Sequence, residues 1–467
     1  MGTSSYPPAQ QAPYSPLQDD LEAASRAEHS SAEYEDEPAW ARPPAKRRRW
    51  DWRTGLGGLA LGVVLGWGAF AGHGRYRAAQ ENKSEESLLS SLAPSSPLNS
   101  TELFDVPVRI NYRGESGLNG REPILKPECP VPVVYTADEN VADIIVFNTD
   151  SHRGESLEEL EDRRRKRPWQ KTAVWGVESA PNRRLLEDHF NKLRDGKANE
   201  TSEYSMTYRL NSTVPATYSY AYLSYDNPPV PVRQKRAGKI AAALISNCHP
   251  RNARTLILQE LSRLLPGKID SFGTCEKNAN LDETLREMGL YDAVGTHTRW
   301  NEKITLIGHY RFTIAFENSN DLDYVTEKCF QALERGSVPL VFGAPNYARR
   351  IFPSPNAGID LAGYLPAEYS QQSNSSSEAP SELSEEAKEG LARLAKRLDY
   401  LSSEKGTAEY EKMLAWKKSD WKTDPENPLG KIVRESTHKF SQDCRLALAF
   451  RGQPTSRWTE PVEKEKA

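Results

Sequence analysis

Phe312–Phe342 reads FTIAFENSNDLDYVTEKCFQALERGSVPLVF, and its hydropathy pattern changes period twice. Phe312–Glu317 is a short, continuous apolar run of the kind that fills a sheet covered on both faces. Asp323–Arg335 follows with helical spacing, and Val338–Phe342 (VPLVF) is again a strand of the buried type. A strand, a helix and a strand in roughly 30 residues predict one unit of a parallel sheet.

A second such unit lies upstream. Ile240–Ser246 (IAAALIS) predicts a buried strand, Asn252–Leu265 a helix with Leu256, Leu258, Leu261 and Leu265 on one face, and Lys268–Phe272 a short strand. Two units of this kind predict a nucleotide-binding half-domain, although neither carries GxGxxG or a Walker sequence. Further upstream, strands are expected near Val106–Tyr112, Ala142–Asn148 and Thr172–Val177. A charged helix over Glu155–Lys166 should end in a solvated basic run. Downstream, helices near Ser384–Ala395 and Ala408–Lys418 are candidates to cross back to the first half.

Outside these units the chain is polar. Residues 1–53 are rich in Pro, Ser, Ala and charge and predict a disordered cytosolic tail. Thr54–Gly72 (TGLGGLALGVVLGWGAFAG) has no charged side chain, and nineteen residues of helix match a bilayer's hydrocarbon thickness. Lys46, Arg47, Arg48, Arg49 and Arg53 precede this span, against Arg75 and Arg77 after it. The positive-inside rule then makes it a type II signal anchor with a lumenal body. Residues 73–104 read as a stem. Five Asn-X-Ser/Thr sequons, at Asn82, Asn99, Asn199, Asn211 and Asn374, all follow the span. The net charge of −4 gives no footprint for nucleic acid. The segment around QQSNSSSEAPSELSEE (371–386) predicts a structureless insertion over 366–390, mobile and without core contacts. Five cysteines leave at least one unpaired, and none has zinc spacing. Cys248 and Cys275 flank one strand–helix–strand unit and are expected to pair in an oxidising lumen.

The chemistry-bearing residues gather where the strand Phe312–Glu317 gives way to its helix. Such a turn aims free backbone N–H groups at an anion, and Lys328 adds a cation there. Glu327 could accept from ribose hydroxyls, and Tyr324 could stack or donate. The same pattern also suits a capped, salt-bridged amphipathic helix. Asp321-Leu322-Asp323 can alternatively be read as the metal-binding DxD of a GT-A transferase, or as a helix cap.

Phe316–Asn346 (FENSNDLDYVTEKCFQALERGSVPLVFGAPN) resembles the signature of the α1,3-fucosyltransferases, glycosyltransferase family 10. Ile245-Ser246-Asn247-Cys248 with Arg251-Asn252 and Arg254 resembles that family's second block. Trp175-Gly176-Val177-Glu178-Ser179-Ala180 resembles its acceptor-side block. The resemblance implies an α/β GT-B architecture, two Rossmann-like halves facing across a cleft: an acceptor-side domain over 105–236 and a GDP-fucose domain over 237–365. C-terminal helices over 391–452 and a tail over 453–467 complete the expected layout. It implies that Glu178 is the catalytic base. Arg254 and Lys328, with Arg251 as a second cation, would neutralise the diphosphate, while Asn318, Tyr324 and Glu327 would contact GDP or fucose. It implies no obligate cofactor, with Mn2+ or Mg2+ at most a stimulant. The block forms resemble the plant-type core enzymes, whose acceptor is the innermost N-acetylglucosamine of an N-glycan in the Golgi. Lewis-type transfer to outer N-acetylglucosamine and an inactive glycan-binding homologue are the alternatives. Cys444-Arg445-Leu446-Ala447 lacks the second cysteine of a family motif, which leaves the partners of Cys129, Cys329 and Cys444 open.

Overall fold

The computed structural model describes residues 104–150, 162 and 167–455. The expected tail, membrane span, stem, Asn82, Asn99, the helix over Glu155–Lys166 and the residues from 456 on therefore lie outside the described residues, apart from isolated positions. No helix among the described residues is long and apolar enough to cross a membrane.

The first sheet is built from β1 (Val108–Tyr112), β2 (Val133–Tyr135), β3 (Ile144–Asn148), β4 (Lys171–Gly176) and β5 (Tyr204–Thr207). Its order is β2-β1-β3-β4-β5, and every pairing is parallel. Helix α1 (Arg184–Arg194) joins β4 to β5 and packs Leu185 and Leu186 against Ile145, Phe147 and Val174.

The second sheet contains β6 (Ala241–Ala243), followed by α2 (Arg254–Leu264), and β7 (Ile269–Ser271), followed by α3 (Leu281–Glu287) and α4 (Arg299–Ile307). Next come β8 (Phe312–Phe316), α5 (Glu327–Arg335), β9 (Val338–Phe342) and β10 (Ile359–Asp360). The order is β10-β9-β8-β6-β7, again all parallel. Counted from its own first strand, each sheet runs 2-1-3-4-5. Doubly wound sheets of this order offer a crevice at the carboxyl ends of strands 1 and 3, where the connections part.

The buried run FTIAF serves both faces of the second sheet. Phe312, Ile314 and Phe316 meet α2 (Ile257, Leu258, Leu261) and α6 (Glu385–Ser402: Leu391, Leu394, Leu398). Ala315 points the other way, to Phe330 and Leu333 of α5. Each fully buried Leu, Ile or Phe in these layers stabilises the fold by about 1.5–3 kcal/mol. Helix α5 ends where Gly336 takes φ +67°, and a Cβ there would come within 2.4 Å of Pro229.

Helix α6 and α7 (Thr407–Met413) stay on the second sheet. The return to the first half expected of them is made instead after α8 (Pro428–Ser436), by α9 (Gln442–Phe450). Asp443 on α9 accepts from the hydroxyls of Tyr112 and Tyr135 and pairs with Arg121. Beside it, Cys444 is bonded to Cys129, closing a sequence separation of 315 residues. Cys248 and Cys275 form the other disulfide, and Cys329 is a buried free thiol.

Candidate active site

The crevice between β6 and β8 holds the first group of candidates. Arg254 opens α2 and is 3% exposed. Its guanidinium donates to the carbonyls of Asn247, 2.7 Å, and Phe316, 3.2 Å, so one side chain joins the loops leaving both strands. Asn252 adds bonds to the Glu317 carbonyl and the Asn320 side chain.

At the head of α5 lie two cations and two carboxylates. Lys328 approaches Glu317 at 3.4 Å, Glu327 at 3.5 Å and the Thr326 hydroxyl at 2.8 Å, while Lys303 of α4 approaches Glu327 at 3.5 Å. Burial opposes the charged form of Glu327, but Lys328 and Lys303 outweigh it and hold the carboxyl at about 2. Glu317 is fully buried, and burial pushes its pKa up despite Lys328. Gly343, at φ +141°, gives it room, because a Cβ there would sit 2.7 Å from that of Glu317. Lys303 itself is pushed down by burial, with Glu327 opposing. Sequence reasoning did not single out Lys303; its signal was a lysine directly before the buried Ile304 of α4.

Glu178 stands in the loop leaving β4, 7% exposed. The loop is held from below by Asp150, whose carboxylate accepts from the Val177 N–H and pairs with Arg183. Four donors converge on one oxygen, Oε1 of Glu178. They are the Ser179 N–H at 2.8 Å, the Asn182 amide at 3.0 Å, the Tyr324 hydroxyl at 3.0 Å and the Asn318 amide at 3.3 Å. The last two come from the second half, so Glu178 is positioned by both sheets. Tyr324 is 1% exposed and packs edge-on against Tyr208, so it acts as a buried donor here rather than as an open stacking surface.

Further contacts tie the same loops. The hydroxyls of Ser179 and Ser319 meet at 2.6 Å. Asp321 pairs with Arg209 at 2.5 Å and accepts from Tyr208. Asp323 accepts from the Leu210 N–H and from Asn346. Both carboxylates of the DLD triplet are thus engaged between the halves, and no cluster of metal-ligating side chains occurs among the described residues. Tyr208 and Arg209 were missed in the sequence because β5, which delivers them, was not anticipated.

The expectation that 371–386 is mobile and free of core contacts is corrected. Ser373 is buried and exchanges two bonds with the Asn320 backbone, while Gln372 donates to Asp321. The Ser375 N–H donates to Glu187 of α1. Arg251 donates to the Ser375 carbonyl at 2.7 Å and to Asn182 at 2.7 Å, and Asn182 in turn reaches Glu178. The segment is a strap fastened to both halves. Three described sequon residues, Asn199, Asn211 and Asn374, are exposed.

Residues 233–370 match the family model "Glycosyltransferase family 10 (fucosyltransferase) C-term". A "Putative fucosyltransferase-like protein" of Arabidopsis thaliana is 35% identical over 212 residues, 45% of this chain and 32% of that one. "GDP-fucose protein O-fucosyltransferase 3" of Homo sapiens is 31% identical over 151 residues, 31% of this chain and 30% of that one. "Alpha-(1,3)-fucosyltransferase B" of Drosophila melanogaster is 35% identical over 102 residues, 22% of this chain and 21% of that one. The matched stretches thus span a third or less of these relatives. The solved "Crystal Structure of alpha1,3-Fucosyltransferase with GDP" is 15% identical, covers 79% of this chain and 95% of its own, and has a TM-score of 0.35. Residues 233–370, which carry β6–β10 and the Lys–Glu group at the head of α5, are thus similar to the C-terminal domain of glycosyltransferase family 10, the fucosyltransferases.

Proposed function

We propose that the protein is an inverting GT-B fucosyltransferase that moves L-fucose from GDP-β-L-fucose, in α1,3 linkage, to N-acetylglucosamine of N-glycans, with the core residue as acceptor. The observation that carries the reading is Glu178, a carboxylate of the first half fixed by donors of the second, beside the cation-bearing crevice between β6 and β8. In this reading the diphosphate lies toward Lys328, Arg254 and Arg251, which offset the charge that grows as GDP departs. Glu178 takes the proton of the acceptor hydroxyl. The hydroxyl oxygen bonds to the anomeric carbon from the face opposite GDP, the carbon–phosphate-oxygen bond breaks with its electron pair going to GDP, and the anomeric configuration inverts. No metal is required by these steps. The body would act in the Golgi lumen, anchored through 54–72.

A second acceptor class is favoured by the comparisons, since several relatives are named protein O-fucosyltransferases. In that reading the attacking oxygen belongs to a Ser or Thr side chain, and the donor half is unchanged. Full-length protein in detergent, given GDP-fucose with a defined glycopeptide or with peptides lacking glycan, separates the two. Fucose that leaves with the enzymatically released N-glycan and maps to O3 supports the glycan reading. Fucose released from peptide by alkaline elimination replaces it.

A further inference from the structure

A cavity of about 500 Å³ opens between α1 and the strap. Its floor is Ala180-Pro181, directly after Glu178-Ser179; its wall includes Asp188 and Asn191 of α1; its roof is Gln372–Ser376. We propose that this cavity binds a neutral, hydroxyl-rich sugar of the acceptor, beside the residue that receives fucose. The proposal rests on the fucosyltransferase reading and adds the place where the acceptor is recognised.

Size and charge carry it. The volume is that of a small-molecule site. Glu187 and Asp188 outnumber Arg194 among its charged lining groups, so a nucleoside diphosphate is disfavoured. Sugar hydroxyls donate well to carboxylates, and an Asn amide can both donate to and accept from a hydroxyl or an acetamido group. The roof is not a loose loop. Ser375 is held by Glu187 from the first half and by Arg251 from the second, and the Arg251–Asn182–Glu178 bonds run unbroken from roof to candidate base. A sugar that seats under the strap thereby meets the same framework that orients Glu178. Asn374, in the sequon Asn374-Ser375-Ser376, stands at the rim, so a glycan attached there would crowd the entrance.

The test uses the full-length chain in detergent, with a biantennary glycopeptide ending in N-acetylglucosamine as probe and GDP as control. Asp188→Asn combined with Asn191→Ala should weaken glycopeptide binding about tenfold, as loss of two hydrogen bonds implies. The effect should appear in the acceptor KM rather than in kcat, with GDP affinity unaltered. Asn374→Gln, which abolishes the sequon at the rim, should leave glycopeptide affinity equal or tighter. Unchanged glycopeptide affinity in the double variant overturns the proposal. So does weakened GDP affinity, which would make the cavity the nucleotide's, or a loss confined to Asn374→Gln, which would place binding on the rim. Failure of the fucosyltransferase reading looks different: the parent protein then binds no GDP.

Discussion

Under the proposed mechanism, Glu178 and Lys328 should fail in different ways when altered. Glu178→Gln keeps the shape and the incoming hydrogen bonds yet removes the proton acceptor. Turnover should drop by roughly 100- to 10,000-fold, the range for general-base catalysis, while GDP affinity stays close to parental. In the same proposal, Lys328→Met removes the cation assigned to the diphosphate before and during transfer. It should weaken GDP binding and slow transfer together, and it also leaves Glu317 and Glu327 with one positive neighbour fewer. Calorimetry with GDP and initial rates on both variants decide the assignment; a Glu178→Gln protein that binds GDP poorly but turns over normally at saturation reverses it. The sequence placed Glu327 and Lys328 at the opening of a helix, where the structure has them. It could not show that Tyr324 and Asn318 point at Glu178, because that depends on how the two sheets are pressed together.

Elements were most legible where a longer apolar run marked them. β9 is found at Val338–Phe342 and β8 within one residue of its expected end, because a run of apolar side chains covered on both faces leaves one strand assignment open. Helix α5 begins at Glu327 rather than Asp323, since Asp323 adopts φ +60° and is fastened to Asn346 and Leu210. Edge strands β2 and β5 have only three and four residues, too short a signal to stand out in the sequence. The strap was hidden for a different reason: its contacts run largely through backbone carbonyls and N–H groups, which composition does not encode. Replacing 371–377 by a Gly/Ser linker should therefore lower the melting temperature and the transfer rate together, and a variant indistinguishable from parent would return the segment to a passive role. Helix α1 carries a pH-sensitive element. His189 is buried, and that burial takes its pKa from 6.5 down to about 4. The unfolded chain binds the proton more readily between these values, so stability is fully present above about pH 6.5 and falls as pH drops toward 4. The urea midpoint should show that slope in the parent and lose it in His189→Asn.

At the scale of the whole molecule, two sheets of identical strand order meet through the loops leaving their carboxyl ends, and the buried pair of Arg209 with Asp321 spans the junction. The chain is then closed on itself by α9, through Asp443 and the Cys129–Cys444 bond. A crosslink over so long a loop contributes about 2–5 kcal/mol. Cys444→Ser should lower the midpoint of chemical unfolding by a matching amount, with a comparable loss in Cys129→Ser and no further loss in the double variant. Additive losses would mean that the two sulfurs stabilise the fold separately.

The same closure sets an order of events during synthesis. The edge of the first sheet, where Tyr112 and Tyr135 await Asp443, is laid down early, but its covering helix is among the last described segments of the chain. At ordinary elongation rates the 315 residues added after Cys129, up to and including Cys444, take on the order of half a minute to emerge. Throughout that interval the Cys129 thiol has no native partner, and it must be shielded from the wrong one. A ribosome stalled before residue 442 would release a chain with both sheets encoded and the first still unlatched.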